Sequence, residues 1–169
     1  MTYEVHMMVG VPGSGKSTFI KQERENLEES GLTTCVISRD YIRKQILLDD
    51  DYYFDREEDV FREFVRQINE AMELSIDVVF IDATHLNSKS RAGLLRKLQP
   101  DPKTSLILEV MDTSFKTCLA RNSKRKGFER VPTSSMKEMM SRFSRPHEGE
   151  FPKDKWGFKD IKINVHKEG

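Results

Sequence analysis

One motif near the N-terminus constrains the fold of this chain more than any other feature. Residues 10–17, Gly-Val-Pro-Gly-Ser-Gly-Lys-Ser, fit the pattern G-x-x-x-x-G-K-[ST] at every fixed position. Residues 3–9 before it read as a strand, and residues 16–29 after it carry a helical pattern that ends at Gly31. A glycine-rich turn between a strand and a helix points backbone amides into one concavity, and the helix N-terminus adds a field that favours an anion. The motif therefore predicts a phosphate-binding loop.

The rest of the chain alternates short apolar runs with helical patterns. We predict strands at residues 33–37, 77–82, 104–111 and 161–165, and helices after Ser38 and at 55–74, 88–98, 114–125 and 133–143. Strands that alternate with helices form parallel sheets covered on both faces. We therefore expect an α/β fold of three layers, with about five parallel strands, in a single domain over residues 1–169.

Composition limits the partners and the location. The 169 residues include 28 Lys and Arg against 28 Asp and Glu, so the net charge is zero. A protein that grips a long nucleic acid usually has a basic surplus, so we expect at most a short contact near a strand end. The sequence has no apolar run of the roughly 20 residues that span a bilayer, and no pattern of a secretory signal. We therefore expect no membrane partner and a cytoplasmic location.

The residues of the motif have distinct expected roles. The backbone of Gly13, Ser14 and Gly15 would surround the phosphates, and Lys16 would reach the β- and γ-phosphates. The hydroxyl of Ser17 would bind Mg²⁺. The sequence lacks the Asn-Lys-x-Asp of guanine-binding proteins. We therefore predict ATP and Mg²⁺ as the cofactors.

Two acidic residues follow predicted strands, at the sheet edge where ligands gather in open parallel sheets. Asp82 closes the apolar run of residues 78–81, and it would hold the Mg²⁺ shell or orient an acceptor, unless it only caps the next segment. Asp40 follows the second strand and would accept a proton from an attacking hydroxyl. Arg43 lies three residues later, on the same helix face. The alternative is that Asp40 caps a helix and Arg43 is solvated.

The most basic stretch, residues 121–130, predicts a lid that extends to about residue 143. Arg121 and Arg125 are four residues apart and would share a helix face. Their forked guanidinium groups suit the spread charge of a phosphoryl group in transfer. Gly127 and Pro132 would allow a hinge or a stop. The alternative is a solvated basic helix end, which the helix dipole favours.

Together these segments resemble the kinase domain of phage-type polynucleotide 5′-kinases and their bacterial relatives. The matching segments are residues 10–18, 38–43, 82–87, 121–125, and 131–132 with 139–143. The resemblance implies a three-layer P-loop kinase fold with a helical lid, and it implies phosphate and Mg²⁺ contacts at Lys16, Ser17 and Thr18.

The same resemblance implies roles on the acceptor side. Asp40 would be the general base that activates a 5′-hydroxyl, and Arg43 would contact the acceptor's phosphate. Arg121 and Arg125 would be the lid arginines.

Three functions compete at this point. Asp40, Arg43 and the two lid arginines favour a kinase for the 5′-hydroxyl end of a nucleic acid. Zero net charge and the acidic residues 49–51 favour a kinase for a small hydroxylated molecule, such as a nucleoside or sugar nucleotide, because these acids would repel phosphates. An ATP-dependent switch is the third function, and the candidate base and lid arginines argue against it. The acceptor and the oligomeric state stay open.

Overall fold

The computed structural model describes residues 2–168, in which five strands form one parallel sheet. The strands are β1 (Tyr3–Val9), β2 (Thr34–Ser38), β3 (Val78–Asp82), β4 (Thr104–Asp112) and β5 (Ile161–Lys167). Their order across the sheet is β2-β3-β1-β4-β5, and every neighbouring pair is parallel. The first strand along the chain therefore lies at the centre of the sheet. The predicted α/β fold with a parallel sheet is confirmed.

Six α-helices connect or follow the strands within residues 2–168. They are α1 (Lys16–Glu29), α2 (Arg39–Ile46), α3 (Glu57–Glu73), α4 (Ser88–Leu95), α5 (Phe115–Ser123) and α6 (Thr133–Arg142), with 3₁₀ turns at Gly127–Glu129 and Glu148–Glu150. The helix predicted over residues 88–98 ends early. Its last turn tightens, because Lys97 and Leu98 donate backbone hydrogen bonds to the carbonyls three residues before them.

Alternating side chains along β1 divide the core between the two faces of the sheet. Val5, Met7 and Val9 face the helices α3 and α4 and belong to the larger core cluster. Met8 faces the opposite side, where it packs with Ile20 of α1. Helices therefore cover both faces, which gives the three expected layers. Strand β3 is buried along residues 78–81, as its uninterrupted apolar run indicates.

Three aromatic residues near the C-terminus complete this core rather than the cleft described below. Phe158 is buried in the larger cluster, and Phe151 and Trp156 pack against it while partly buried. In residues 2–168, no helix combines the length and the apolar character needed to cross a membrane.

A buried ion pair fastens the segment after α6 to the core. Arg91 has no solvent exposure, and its Nε and Nη2 lie 2.9 and 3.1 Å from the two carboxylate oxygens of Glu150. Its Nη1 donates to the carbonyl oxygens of His85 at 2.8 Å and Ser144 at 3.1 Å. One guanidinium thus joins α4, the loop after β3 and the segment after α6.

A second polar cluster lies on the face of the sheet covered by α1. The imidazole of His6 contacts Glu109 and Glu4, each at 3.2 Å. Glu109 also contacts His166 and Asn164 on β5. Burial alone would lower the pKa of His6, but the hydrogen bonds to both carboxylates raise it to about 9. His6 is therefore protonated at neutral pH inside the fold.

Candidate active site

The predicted phosphate-binding loop lies between β1 and α1, at the carboxyl edge of the sheet. Gly13 and Gly15 have φ angles of 84° and 102°, which favour glycine over residues with a side chain. At Gly13 a Cβ atom would also lie 2.8 Å from the carbonyl oxygen of Cys118 on α5. The glycine therefore permits both the turn and the close approach of α5, the first helix of the lid.

Lys16 begins α1 and turns back over its own loop. Its Nζ donates to the carbonyl oxygens of Gly10 at 2.8 Å and Val11 at 3.0 Å. Burial lowers the pKa of Lys16, while the carboxylates of Asp82 and Asp40 act to raise it. The ammonium group thus lies within electrostatic reach of both candidate acids.

Ser17 and Asp82 meet across the start of α1 and the end of β3. The Ser17 hydroxyl donates to Oδ2 of Asp82 at 3.3 Å. Burial raises the pKa of Asp82, and Lys16 opposes that rise. Asp82 does not cap the following helix, because Asn87 does so by accepting from the backbone amide of Ser90 at 2.9 Å. This oxygen pair suits Mg²⁺, which is usually held by one or two protein carboxylates and by substrate phosphates.

Asp40 lies in the first turn of α2, next to the same edge. The N-cap of α2 is Ser38, whose Oγ accepts from the amide of Tyr41 at 3.2 Å. The alternative in which Asp40 caps the helix is therefore excluded. The Asp40 side chain is 65% exposed and accepts hydrogen bonds from Arg43 and from the hydroxyl of Tyr53. Its carboxylate remains accessible from the cleft.

Arg43 is buried rather than solvated, and its guanidinium is engaged by protein groups. Nε and Nη2 donate to the two carboxylate oxygens of Glu57 at 2.6 and 3.0 Å, while Nη1 contacts Asp40. The guanidinium carbon also lies 4.8 Å from the ring centroid of Tyr53. These contacts give Arg43 a part in holding Asp40. Its contact with an acceptor phosphate stays a prediction.

The lid arginines differ in their surroundings. Nη1 of Arg121 donates to the carbonyl oxygen of Gly13 at 3.1 Å, which ties α5 to the phosphate-binding loop. Across residues 2–168, no group forms a hydrogen bond with the guanidinium of Arg125, which lines the cleft. The Asn122 side chain closes the intervening loop, because it donates to the carbonyl oxygen of Val131 at 2.8 Å and accepts from the Val131 amide at 3.0 Å.

The predicted site residues surround one cleft of about 810 Å³. Those on its wall are Gly13, Ser14, Gly15, Lys16, Ser17, Thr18, Asp40, Arg43, Asp82, Arg121 and Arg125. The volume lies within the usual range for small-molecule sites. A cation, an anion-binding loop, an oxygen pair suited to a metal and an accessible carboxylate are thus brought together, and this set can support phosphoryl transfer.

Several residues on the cleft wall were missed by the sequence reasoning. Tyr53 and Phe54 lie in the connection between α2 and α3. In this connection the sequence had indicated only the acidic residues 49–51. Two adjacent tyrosines followed by a phenylalanine are a signal that could have pointed to this segment. His85 lies in the matching segment 82–87, from which no role was predicted for it. Burial lowers its pKa to about 3, and its Nδ1 donates to the carbonyl of Met8, so its imidazole is neutral.

Comparison with protein families gives a match over most of the chain. The family described as the AAA domain matches residues 5–146. An L-seryl-tRNA(Sec) kinase of Methanococcus maripaludis is 25% identical over 94% of this chain and 58% of its own length. A protein of Autographa californica nuclear polyhedrosis virus, described as a bifunctional polynucleotide kinase/RNA ligase, is 25% identical over 86% of this chain and 21% of its own length. This chain therefore spans little more than half of the first relative and about a fifth of the second.

Solved structures share the fold at low identity. An unliganded sugar kinase from Janibacter sp. HTCC2649 superposes with a TM-score of 0.61 and 20% identity, over 99% of this chain and 86% of that one. The family match, the two kinases and the phosphate-binding loop together make this chain a P-loop kinase domain.

Proposed function

The chain belongs to the AAA domain family, and we propose that it transfers the γ-phosphoryl group of ATP to the 5′-hydroxyl end of a polynucleotide. One observation carries the proposal. The accessible carboxylate of Asp40 shares a cleft with Lys16 and with the guanidinium of Arg125, which forms no hydrogen bond within residues 2–168. A protein that only bound ATP would need neither an accessible carboxylate on the acceptor side nor a free cation in its lid.

The residues divide the reaction between them. Asp40 takes the proton of the acceptor hydroxyl while that oxygen attacks the γ-phosphorus. The bond between the γ-phosphorus and the bridging oxygen breaks, and ADP leaves with the electron pair. Lys16 would contact the β- and γ-phosphates, and the lid arginines would stabilise the charge on the transferred group. Ser17 and Asp82 would hold Mg²⁺, which when bound neutralises charge on the phosphates.

The printed names of the curated relatives support an acceptor that is carried on nucleic acid. One is a kinase of a seryl-tRNA, and the other a polynucleotide kinase. The Asp40–Arg43 pair and the two lid arginines also match the segments that resemble polynucleotide 5′-kinases. Zero net charge fits a contact confined to the strand end rather than a long groove.

A second candidate, a kinase for a small hydroxylated molecule, is favoured by the acceptor side itself. Asp49 and Asp50 are exposed in the connection between α2 and α3, which also supplies Tyr53 to the cleft. These carboxylates would repel the phosphates of a polynucleotide. The sugar kinase with the same fold is a relative of that kind.

The decisive experiment is a screen for labelled-phosphate transfer from ATP. The acceptors are 5′-hydroxyl DNA and RNA oligonucleotides, nucleosides and sugar nucleotides, and matched oligonucleotides with a 5′-phosphate serve as controls. We expect transfer to the 5′-hydroxyl oligonucleotides and none to the 5′-phosphorylated controls. Transfer to nucleosides or sugar nucleotides alone would favour the second candidate. ATP hydrolysis with transfer to no acceptor would favour the switch.

The variant Asp40→Asn tests the assignment of the base. Asn keeps nearly the same shape but cannot take a proton, so transfer should fall by about 10²- to 10⁴-fold while the affinity for ATP stays unchanged. Stability should also be kept, because Ser38 rather than Asp40 caps the helix. ATP binding by calorimetry and transfer by the labelled-phosphate assay are measured on one preparation. Wild-type transfer in this variant would contradict the assignment.

A further inference from the structure

Tyr53 lies between the lid and Asp40 and contacts both. Its hydroxyl is 3.1 Å from Oδ1 of Asp40 and 3.4 Å from Nη1 of Arg43. Its ring stacks on Phe128 of the lid loop, the stretch of residues 124–132 between α5 and α6. The ring centroids are 5.3 Å apart and the planes are inclined by 29°. Phe54 packs edge-on against the same ring at 4.6 Å. Tyr53 is thus the side chain through which the lid loop reaches the carboxylate.

The direction of the hydrogen bond follows from the groups involved. An ionised carboxylate only accepts, so the Tyr53 hydroxyl donates to Asp40 and accepts from Arg43. Burial and the Asp40 charge raise the pKa of Tyr53 to about 12, so the phenol keeps its proton across the physiological range. Tyr53 is therefore a permanent donor to the carboxylate.

Asp40 needs such a donor because its side chain is largely exposed. An exposed aspartate alternates between rotamers, whereas a general base acts only within hydrogen-bond reach of the proton it takes. Arg43 is fixed by Glu57 and contacts the same oxygen, Oδ1, from within the protein. The Tyr53 hydroxyl adds a second direction, so the two donors together set the orientation of the carboxylate.

We propose that Tyr53 is a positioning residue that ties the orientation of Asp40 to the placement of the lid loop. This inference rests on the proposed function, because it requires Asp40 to be the base. With the loop in its present position Phe128 stacks on the Tyr53 ring and steadies it, and movement of the loop away from the cleft would remove this contact. The same placement of the loop therefore orients the base and brings Arg125 over the cleft. Proton removal by Asp40 and stabilisation of the phosphoryl group by Arg125 would then become possible together.

The variant Tyr53→Phe tests this inference, because it keeps the ring and its stacking and removes only the hydroxyl. We expect kcat for transfer to fall about 10- to 100-fold, as for a misplaced or lost hydrogen bond to a charged group. The affinity for ATP and the melting temperature should be unchanged. The matched control is Tyr52→Phe at the neighbouring position, which is 82% exposed and should behave as wild type.

Two further measurements separate positioning from simple packing. In the Asp40→Asn background, Tyr53→Phe should cause no further loss of rate, since the group through which it acts is gone. Phe128→Leu should lower kcat in the same way as Tyr53→Phe. Phe128→Tyr keeps an aromatic ring and should have the wild-type kcat.

The outcomes also distinguish this inference from the proposed function. A wild-type kcat for Tyr53→Phe, or losses that multiply fully with Asp40→Asn, would overturn the inference and leave the kinase assignment intact. If Tyr53→Phe instead lowered the melting temperature and weakened ATP binding along with kcat, Tyr53 would have a structural role rather than a positioning one. Wild-type transfer by Asp40→Asn would overturn the base assignment and this inference with it.

Discussion

Lys16 shows how much chemistry a single side chain of this protein carries. Its ammonium is held by two carbonyl oxygens of the loop to which it belongs, and the carboxylates of Asp82 at the end of β3 and Asp40 in α2 act on its charge. The loop therefore sets the position of the cation, and the sheet edge sets its electrostatic environment.

Replacement of Lys16 by alanine should abolish most transfer without unfolding the protein. The change removes a preorganised cation at the phosphates, for which a loss of about 10²- to 10³-fold is typical. Steady-state transfer and a thermal melt are the measurements. Lys21→Ala, an exposed lysine on the same helix, is the control and should have no effect. Near-normal activity of Lys16→Ala would contradict the role of the loop.

At the residue scale, the sequence predicted the parts of the site that are contiguous in the chain. The loop residues and Lys16 follow from one motif, whose backbone conformation fixes their function. The role of Tyr53 could not be predicted, because its contacts with Asp40 and Phe128 depend on how α2, α3 and the lid pack. Whether Asp40 caps its helix was equally open, because Ser38 and Asp40 are both good caps and only the structure selects Ser38.

At the scale of elements, the lid consists of α5, the loop closed by Asn122, and α6. Its two arginines differ in their contacts, since the guanidinium of Arg121 donates to Gly13 and the guanidinium of Arg125 forms no hydrogen bond within residues 2–168. A guanidinium without a protein partner is available for a substrate. The guanidinium of Arg121, which donates to the Gly13 carbonyl, also supports the phosphate-binding loop.

The variants Arg121→Ala and Arg125→Ala should therefore differ. We expect both to lower kcat strongly, by up to about 10³-fold, because both would stabilise developing charge. Arg125→Ala should leave the melting temperature and the affinity for ATP unchanged. Arg121→Ala should also weaken ATP binding, because the loop loses a contact. Lys124→Ala, an exposed residue of the same lid, is the control. Matching losses of rate and stability in Arg125→Ala would indicate a structural role.

Most boundaries of helices and strands lie within two residues of the sequence-based prediction, because local periodicity and glycine positions determine them. The order of the strands could not be predicted in the same way. It depends on which apolar runs are buried on both faces, and only packing against α1 on one side and α3 and α4 on the other decides that. The buried polar groups were missed for the same reason, since His6 and Glu109 are 103 residues apart.

At the scale of the whole molecule, buried charge makes stability depend on pH. The folded pKa of His6 is about 9, above its ordinary value of about 6.5, so folding favours the protonated form. The stabilisation is fully present below pH 6.5 and is lost as pH rises towards 9. His85 has the opposite shift, to about 3, so its contribution is present above pH 6.5 and is lost on acidification.

We expect the free energy of unfolding to fall by up to about 3 kcal/mol between pH 6.5 and 9. Chemical denaturation at a series of pH values measures it. The variant His6→Asn should be less stable at pH 6.5 and should lose most of this slope, because the titrating group is gone. An unchanged slope in the variant would assign the dependence to other groups.

The lid is fastened to the body of the protein on both sides of its loop. Arg121 holds α5 to the phosphate-binding loop, and on the far side of α6 the Ser144 amide donates to the carbonyl of Leu86 at 2.8 Å, next to the buried guanidinium of Arg91. These contacts attach the lid to the body of the protein at both of its ends. We therefore expect any opening to be confined to the stretch between α5 and α6, whose two ends Asn122 joins through its hydrogen bonds to Val131. Under the proposed function, an entrance confined to this stretch would suit the free end of a nucleic acid strand better than its middle.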